Sequence, residues 1–121
     1  MKAVLACLML ANAALFIFGA VQHSGVALGP FREPRIIPAA IVESICAISL
    51  LIGAISLARH AVIPLAAPLT GNLVAIAGVL LGMAALAVGR GPRTASNDLY
   101  HHIMLVLAGL SLIALFLARR G

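Results

Sequence analysis

Four apolar runs of about twenty residues, joined by three short links, constrain this chain more than any other feature. A helix needs about 20 predominantly apolar residues to cross the hydrocarbon core of a bilayer. Runs at approximately 3–21, 36–58, 66–88 and 99–118 meet that length. The links QHSGVALGPFREPR, RHAVIPLAAP and GRGPRTASND are too short for a second domain, and short links favour antiparallel neighbours. The expectation is an all-α, four-helix transmembrane bundle of up-down topology. It forms one domain over 1–121, with both termini on the same side. The first run resembles a secretory leader but exceeds an h-region of about 7–15 residues, and it is read as a genuine span. No block remains for a soluble catalytic domain, so any chemistry belongs within the bundle or at its rim.

Composition agrees. Hydrophobic residues make up 64% of the chain and charged residues 9%, against roughly 45–50% and 25% in soluble domains. Aromatics are scarce and Trp is absent, so helix packing must lean on small residues. The net charge of +5 comes from basic residues at the ends of runs, which is the pattern of lipid anchoring and topology signalling. Arg32, Arg35, Arg90, Arg93, Arg119 and Arg120 are read as such anchors. A nucleic-acid partner would need a basic face on a folded surface, and the sequence has none. Lys2, Arg59, Arg119 and Arg120 fall on one side of the membrane; Arg32, Arg35, Arg90 and Arg93 fall on the other. That balance leaves Glu33 and Asp98 to tilt the orientation toward cytoplasmic termini in an inner (plasma) membrane. Cys7 and Cys46 sit at different depths and are read as small hydrophobes rather than a disulfide.

The third span is the most legible. Gly71, Ala75, Gly78, Gly82, Ala85 and Gly89 fall within about 80° of one another at 100° per residue, and Gly78 and Gly82 form a GxxxG pair. Without a hydrophobic drive between helices in lipid, small residues gain contact through close backbone approach. Gly71, Gly78, Gly82 and Gly89 are therefore assigned to helix packing, within the chain or against a membrane protein partner or second copy. Asn72, at the stripe's edge, is expected to bond across to a neighbour. Span one gathers Leu8, Asn12, Phe16, Gly19 and His23 on one face, and span two gathers Ala39, Glu43, Cys46, Ala47, Leu50 and Ala54. Span four aligns Asp98, His101, His102, Leu105, Gly109 and Leu112, with Tyr100 pointing nearly opposite as an interfacial tyrosine.

Folding the chain back and forth then brings distant residues to one rim. His23 ends span one, Glu43 lies near the start of span two, Asp98, His101 and His102 open span four, and Arg90 and Arg93 leave span three. With about 1.5 Å of rise per residue, Glu43, His101, Asp98, His102 and His23 can share one layer, and they are the ligand- or metal-binding candidates. Each has a bland role as well. Thr94, Ser96 or Asn97 can cap a helix while Asp98 complements its dipole, and the histidines can be interfacial. Glu43, the only acid well inside a span, is the hardest to dismiss, because an intramembrane acid points to function and a partner.

Three functions fit. The first is a non-enzymatic accessory or scaffold subunit of a membrane assembly, with no independent catalysis and no catalytic residue assigned. The second is a membrane-embedded module binding a metal, haem, quinone or other ligand through the rim cluster; no particular cofactor is implied. Asp98 and His102 resemble the beginning of the Asp-x3-His-x12-His copper motif of membrane monooxygenases, but its third position is Leu115 here. The third is a small dual-topology transporter or channel. Four spans and one intramembrane acid are similar to the small multidrug resistance proteins, although their essential glutamate lies in the first span, where this chain has Asn12.

Across the whole chain, EPRIIPAAIVESICAISLL followed by GRGPRTASNDLYHHIML resembles a group of uncharacterised small four-span bacterial membrane proteins, loosely similar to DoxX-type proteins. The likeness covers most of residues 20–115. It is most specific at Pro38, Glu43 and the segment Gly91-Pro92-Arg93-Thr94, Asn97-Asp98 and Tyr100-His101. It implies a bacterial inner-membrane bundle and brings no activity with it.

Overall fold

A computed structural model describes residues 1–30, 33–60 and 62–120. Four helices build it: α1 (Lys2–His23), α2 (Ile37–Arg59), α3 (Ala66–Ala87) and α4 (Ala95–Arg120). All four are long and apolar enough to cross a membrane. Both α1 and α3 pack on α2 and α4, so the helices form a four-cornered ring with α1 and α3 on one diagonal. The termini share one end of the bundle with the α2–α3 link, where the Lys2 ammonium donates to the His60 carbonyl. The links after α1 and α3 occupy the other end, which carries the candidate cluster.

Along the helices the outward faces carry large apolar residues, and polar groups lie inside. On α2, Ile41, Ile45, Ile48, Ile52 and Ile55 are each about half exposed, at the i+3/i+4 spacing of a single face. Meanwhile Asn12, Gln22, His23, Glu43, Asn72, His101 and Ser111 are buried. In water such a distribution would expose a large sticky surface. In lipid it is the stable one, because a polar group facing hydrocarbon has no water to bond. The chain is a multi-pass membrane protein.

Local sequence explains where the helices stop. α1 and α3 both end in Schellman turns, with Val26 N donating to Val21 O and Arg90 N to Ala85 O across the ends. Each turn needs a residue with positive φ, and Gly25 at 101° and Gly89 at 76° supply it. Gly89 therefore ends α3 rather than packing it, which corrects the sequence expectation, and nothing lies near the place its Cβ would take. α4 begins at Ala95, a turn earlier than the apolar pattern suggested. Its first turn is polar, and Thr94 Oγ1 accepts from Asn97 N at 3.1 Å to cap it.

The other glycines of the α3 stripe face helices of the same chain. At Gly71 an added Cβ would lie 2.7 Å from the Ser49 carbonyl oxygen, so α2 and α3 touch there backbone to backbone. At Gly53, on α2, it would lie 3.2 Å from Ala67 O and from Pro68 Cα. One turn beyond Ala75, Gly78 meets the Cys46 sulfur instead of backbone. At Gly82 the neighbour is no longer α2 but the His101 ring of α4. α2 and α3 are thus pinned near the termini and part toward the opposite rim. Of the two uses the stripe allows, Gly71, Gly78 and Gly82 serve packing within the chain. Asn72 does not reach across; its amide donates to Pro68 O of its own helix at 2.8 Å. The crossing bond is made by Asn12, whose amide donates to Met104 O on α4 at 3.2 Å. Both cysteines are free, Cys46 buried and Cys7 exposed.

Gly71→Ala should destabilise the bundle by about 1–3 kcal/mol, the usual cost of overpacking, because backbone cannot yield as a side chain can. Gly109→Ala, where nothing lies within 4 Å of the new methyl, should be neutral or slightly stabilising. Denaturant titration of both variants in one detergent would check the contrast.

Candidate binding cavity at one rim

The parting of α2 and α3 leaves a cavity of about 360 Å³ at the rim that carries the candidate residues. Val42, Ala39 and Pro38 of α2 form one wall, and Gly78, Gly82 and Ala85 of α3 form the other. Phe16, Val79 and Met104, all essentially inaccessible, make its floor. Most of the lining is apolar. The polar groups are His23, Glu43, Glu33, Arg90, Asn97 and His101.

Glu43 and His23 form the tightest element. His23 is the last residue of α1, and Glu43 lies six residues into α2, about 9 Å along the helix. His23 Nδ1 and Glu43 Oε2 are 2.8 Å apart, and both side chains are only 10% exposed. The link between the helices reinforces the pairing, because Ile36 N donates to His23 O at 2.9 Å just before α2 begins. The acid well inside a span thus has the partner such a residue requires.

A third group joins them. The Tyr100 hydroxyl donates to Leu15 O of α1 at 2.6 Å and lies against the Glu43 carboxylate. Gly19 makes this possible, since an added Cβ there would collide with both the Tyr100 hydroxyl and Glu43 Oε1. Tyr100 therefore points into the bundle, not toward the interface as expected from the helical wheel. α4 occupies a corner between α1 and α3, so its inward sector is wide enough for adjacent residues. Tyr100 takes the α1 side and His101 the α3 side, their rings edge to face at 5.7 Å. A signal did exist in the sequence: Gly19 stands four residues before the end of α1 and Tyr100 five after the start of α4. A small residue at matching depth marks where a large one can enter.

His101 is buried, and its Nδ1 lies 2.8 Å from Asn97 O. A carbonyl only accepts, so Nδ1 carries a hydrogen, and when the ring is neutral Nε2 is an acceptor. Nε2 has no hydrogen-bond partner among the described residues and would lie 2.6 Å from a Cβ at Gly82, on the cavity side of α3.

The remaining candidates separate from this group. His102 is exposed and donates from Nδ1 to Asp98 O at 2.6 Å. Asp98 pairs with Arg93 at 3.3 Å near the surface, with side chains 39% and 68% exposed. Both leave the cluster because the inward face of α4 runs through His101, Met104, Ala108, Ser111 and Leu115, one position off the expected stripe. Among the described residues no group of three His, Cys, Asp or Glu side chains could hold a metal ion. Of the anchors, Arg35, Arg93, Arg119 and Arg120 are exposed, Arg90 is exposed at the cavity mouth, and Arg32 lies outside the described residues.

A second cavity, of about 290 Å³, lies on the other side of the His23–Tyr100 layer. Phe18, Gly19 and Gln22 of α1, Pro30 and Glu33 of the first link, and Ser96, Asn97 and Tyr100 of α4 line it with His23. His23 belongs to the walls of both cavities. Compared with family models, curated proteins and solved structures, the chain finds no match.

His23→Ala should cost about 3–5 kcal/mol, because it leaves a carboxylate buried without its partner. Tyr100→Phe should cost only about 1 kcal/mol, one hydrogen bond. The double variant His23→Ala/Glu43→Leu should recover much of the first loss, and unfolding titrations of the four proteins would check the order.

Proposed function

We propose that this chain is a membrane-embedded binding protein for a small amphiphile, without bond-making chemistry of its own. The supporting observation is the rim cavity: apolar walls of helix-bundle residues, with Glu43 and His101 Nε2 as converging polar groups. A volume of about 360 Å³ lies in the range of small-molecule sites, about 300–1,000 Å³. The apolar body of a ligand would lie between α2 and α3. Its head would meet two acceptors, since a carboxylate only accepts and the His101 ring holds its hydrogen on the Asn97 carbonyl. The head is thus a hydrogen-bond donor. On the orientation favoured by Glu33 and Asp98, the cavity lies on the periplasmic side of a bacterial inner membrane.

The solubilised full chain should bind 1-adamantanol, a compact apolar cage with one hydroxyl, saturably in a calorimeter or by NMR. Ala85→Trp, which fills the α3 wall, should weaken that binding about tenfold or more, a loss of about 1.4 kcal/mol. Equal partitioning into wild type, Ala85→Trp and empty micelles would refute the reading.

A further inference from the structure

We infer that the head group taken at Glu43 is a protonated amine, and that its binding releases the proton held by His23 into the second cavity. The inference rests on the binding reading above and names the ligand class of that same site.

Glu43 is an anion-forming group inside the bundle, and a buried carboxylate stays charged only beside a cation. The charged and titratable groups around it are few. From α1 comes His23, in contact at 2.8 Å. From α4 come Tyr100, whose hydrogen goes to Leu15 O, and His101, across the cavity. α3 has no titratable side chain at all. Cys46 lies one turn along α2 itself, Glu33 comes from the first link, and Arg90 stands exposed at the mouth. Among the described residues, His23 is thus the one side chain in contact with Glu43 that can carry positive charge. It is also a charge that can leave, because imidazole gives up its proton near neutral pH where guanidinium does not.

The two cavities give that proton somewhere to go. His23 Nδ1 faces Glu43, and the same ring lines the second cavity, whose other walls include Pro30, Glu33 and Ser96 from the rim. The lining of the first cavity is mostly apolar and that of the second is more polar, and His23, Glu33 and Asn97 belong to both.

The exchange balances. Without ligand, His23 is imidazolium and Glu43 is carboxylate, a neutral pair. When an ammonium enters the first cavity, its N–H groups bond to Glu43 and its charge replaces that of His23. His23 then loses one proton from its second-cavity side to water and remains as neutral imidazole, still donating from Nδ1. The site is neutral before and after, so no uncompensated charge is buried at either stage. A neutral hydroxyl head lacks the charge to displace the proton and leaves the His23–Glu43 pair as it was.

The test uses two probes with the same cage, 1-adamantanamine and 1-adamantanol, on the solubilised full chain. Titration calorimetry at several pH values, in buffers of different ionisation enthalpy, counts protons released per molecule bound. The amine should release about one proton, and its affinity should rise about tenfold per pH unit where His23 is protonated in the free protein, the slope linkage requires for one proton. Adamantanol should bind with no proton release and no such slope. Glu43→Gln should weaken the amine about tenfold or more and remove its pH dependence. If the amine binds without releasing a proton, or no better than the alcohol at any pH, the inference is wrong while the binding reading stands. If neither probe binds saturably, the binding reading falls and this inference with it. The wild-type proton count decides the matter even if Glu43→Gln does not fold.

Discussion

A carboxylate among helices in a bilayer has no bulk water to ionise against, so Glu43 has to carry its own counter-charge with it. Much of the rim follows from that requirement. His23 must end α1 where it can reach α2, and the first link must return the chain so that Ile36 bonds back to the His23 carbonyl. Gly19 must lack a side chain so that Tyr100 can close the remaining side of the carboxylate. One acid thus fixes a helix end, a loop closure, a glycine and an aromatic on three different segments.

The glycines act at the opposite end to give the same rim its shape. Backbone contact at Gly71 and Gly53 pulls α2 and α3 together near the termini. Two turns further along α3, the Cys46 sulfur and then the His101 ring fill what backbone filled before. The helices diverge because the intervening groups grow, not because of any kink; Pro38 and Pro68 stand in first turns, where proline is tolerated. The cavity is the wedge left by that divergence, and its α3 wall of Gly78, Gly82 and Ala85 continues the small-residue stripe that packs closely at Gly71. Packing and site are therefore one feature of the sequence seen at two depths.

The sequence made four spans, their antiparallel order and the inward faces of α1 and α2 legible, because apolar run length and helical period act through the whole chain. That His23 and Glu43 share a layer followed from topology and rise; which residue Glu43 pairs with did not. The reading failed on α4. A single stripe on α4 put His102 and Asp98 inside and Tyr100 outside, whereas a corner helix turns two adjacent positions inward, here Tyr100 and His101. It failed again at Gly89, where spacing imitated a packing stripe but the residue's use is a positive φ beyond the helix end. Asn72 failed for a third reason: its amide found a carbonyl in its own helix, an option that residue type and face cannot distinguish from a bond across.

The depth of the polar groups carries a final consequence. Asn12 lies near the middle of its span and fastens α1 to α4 through a backbone carbonyl, a neutral bond that can remain in place indefinitely. His23 and Glu43, the pair invoked in proton exchange, both lie within a few turns of the rim. That division is what lipid as a solvent imposes. A neutral amide can be buried at mid-depth and satisfied once, but a group that must exchange protons needs a path to water in each of its states. Placing His23 at a helix end, with one face on the carboxylate and the other on the polar cavity, meets that need without opening the bundle. A histidine at the depth of Asn12 could make the same ion pair and would have no route for its proton.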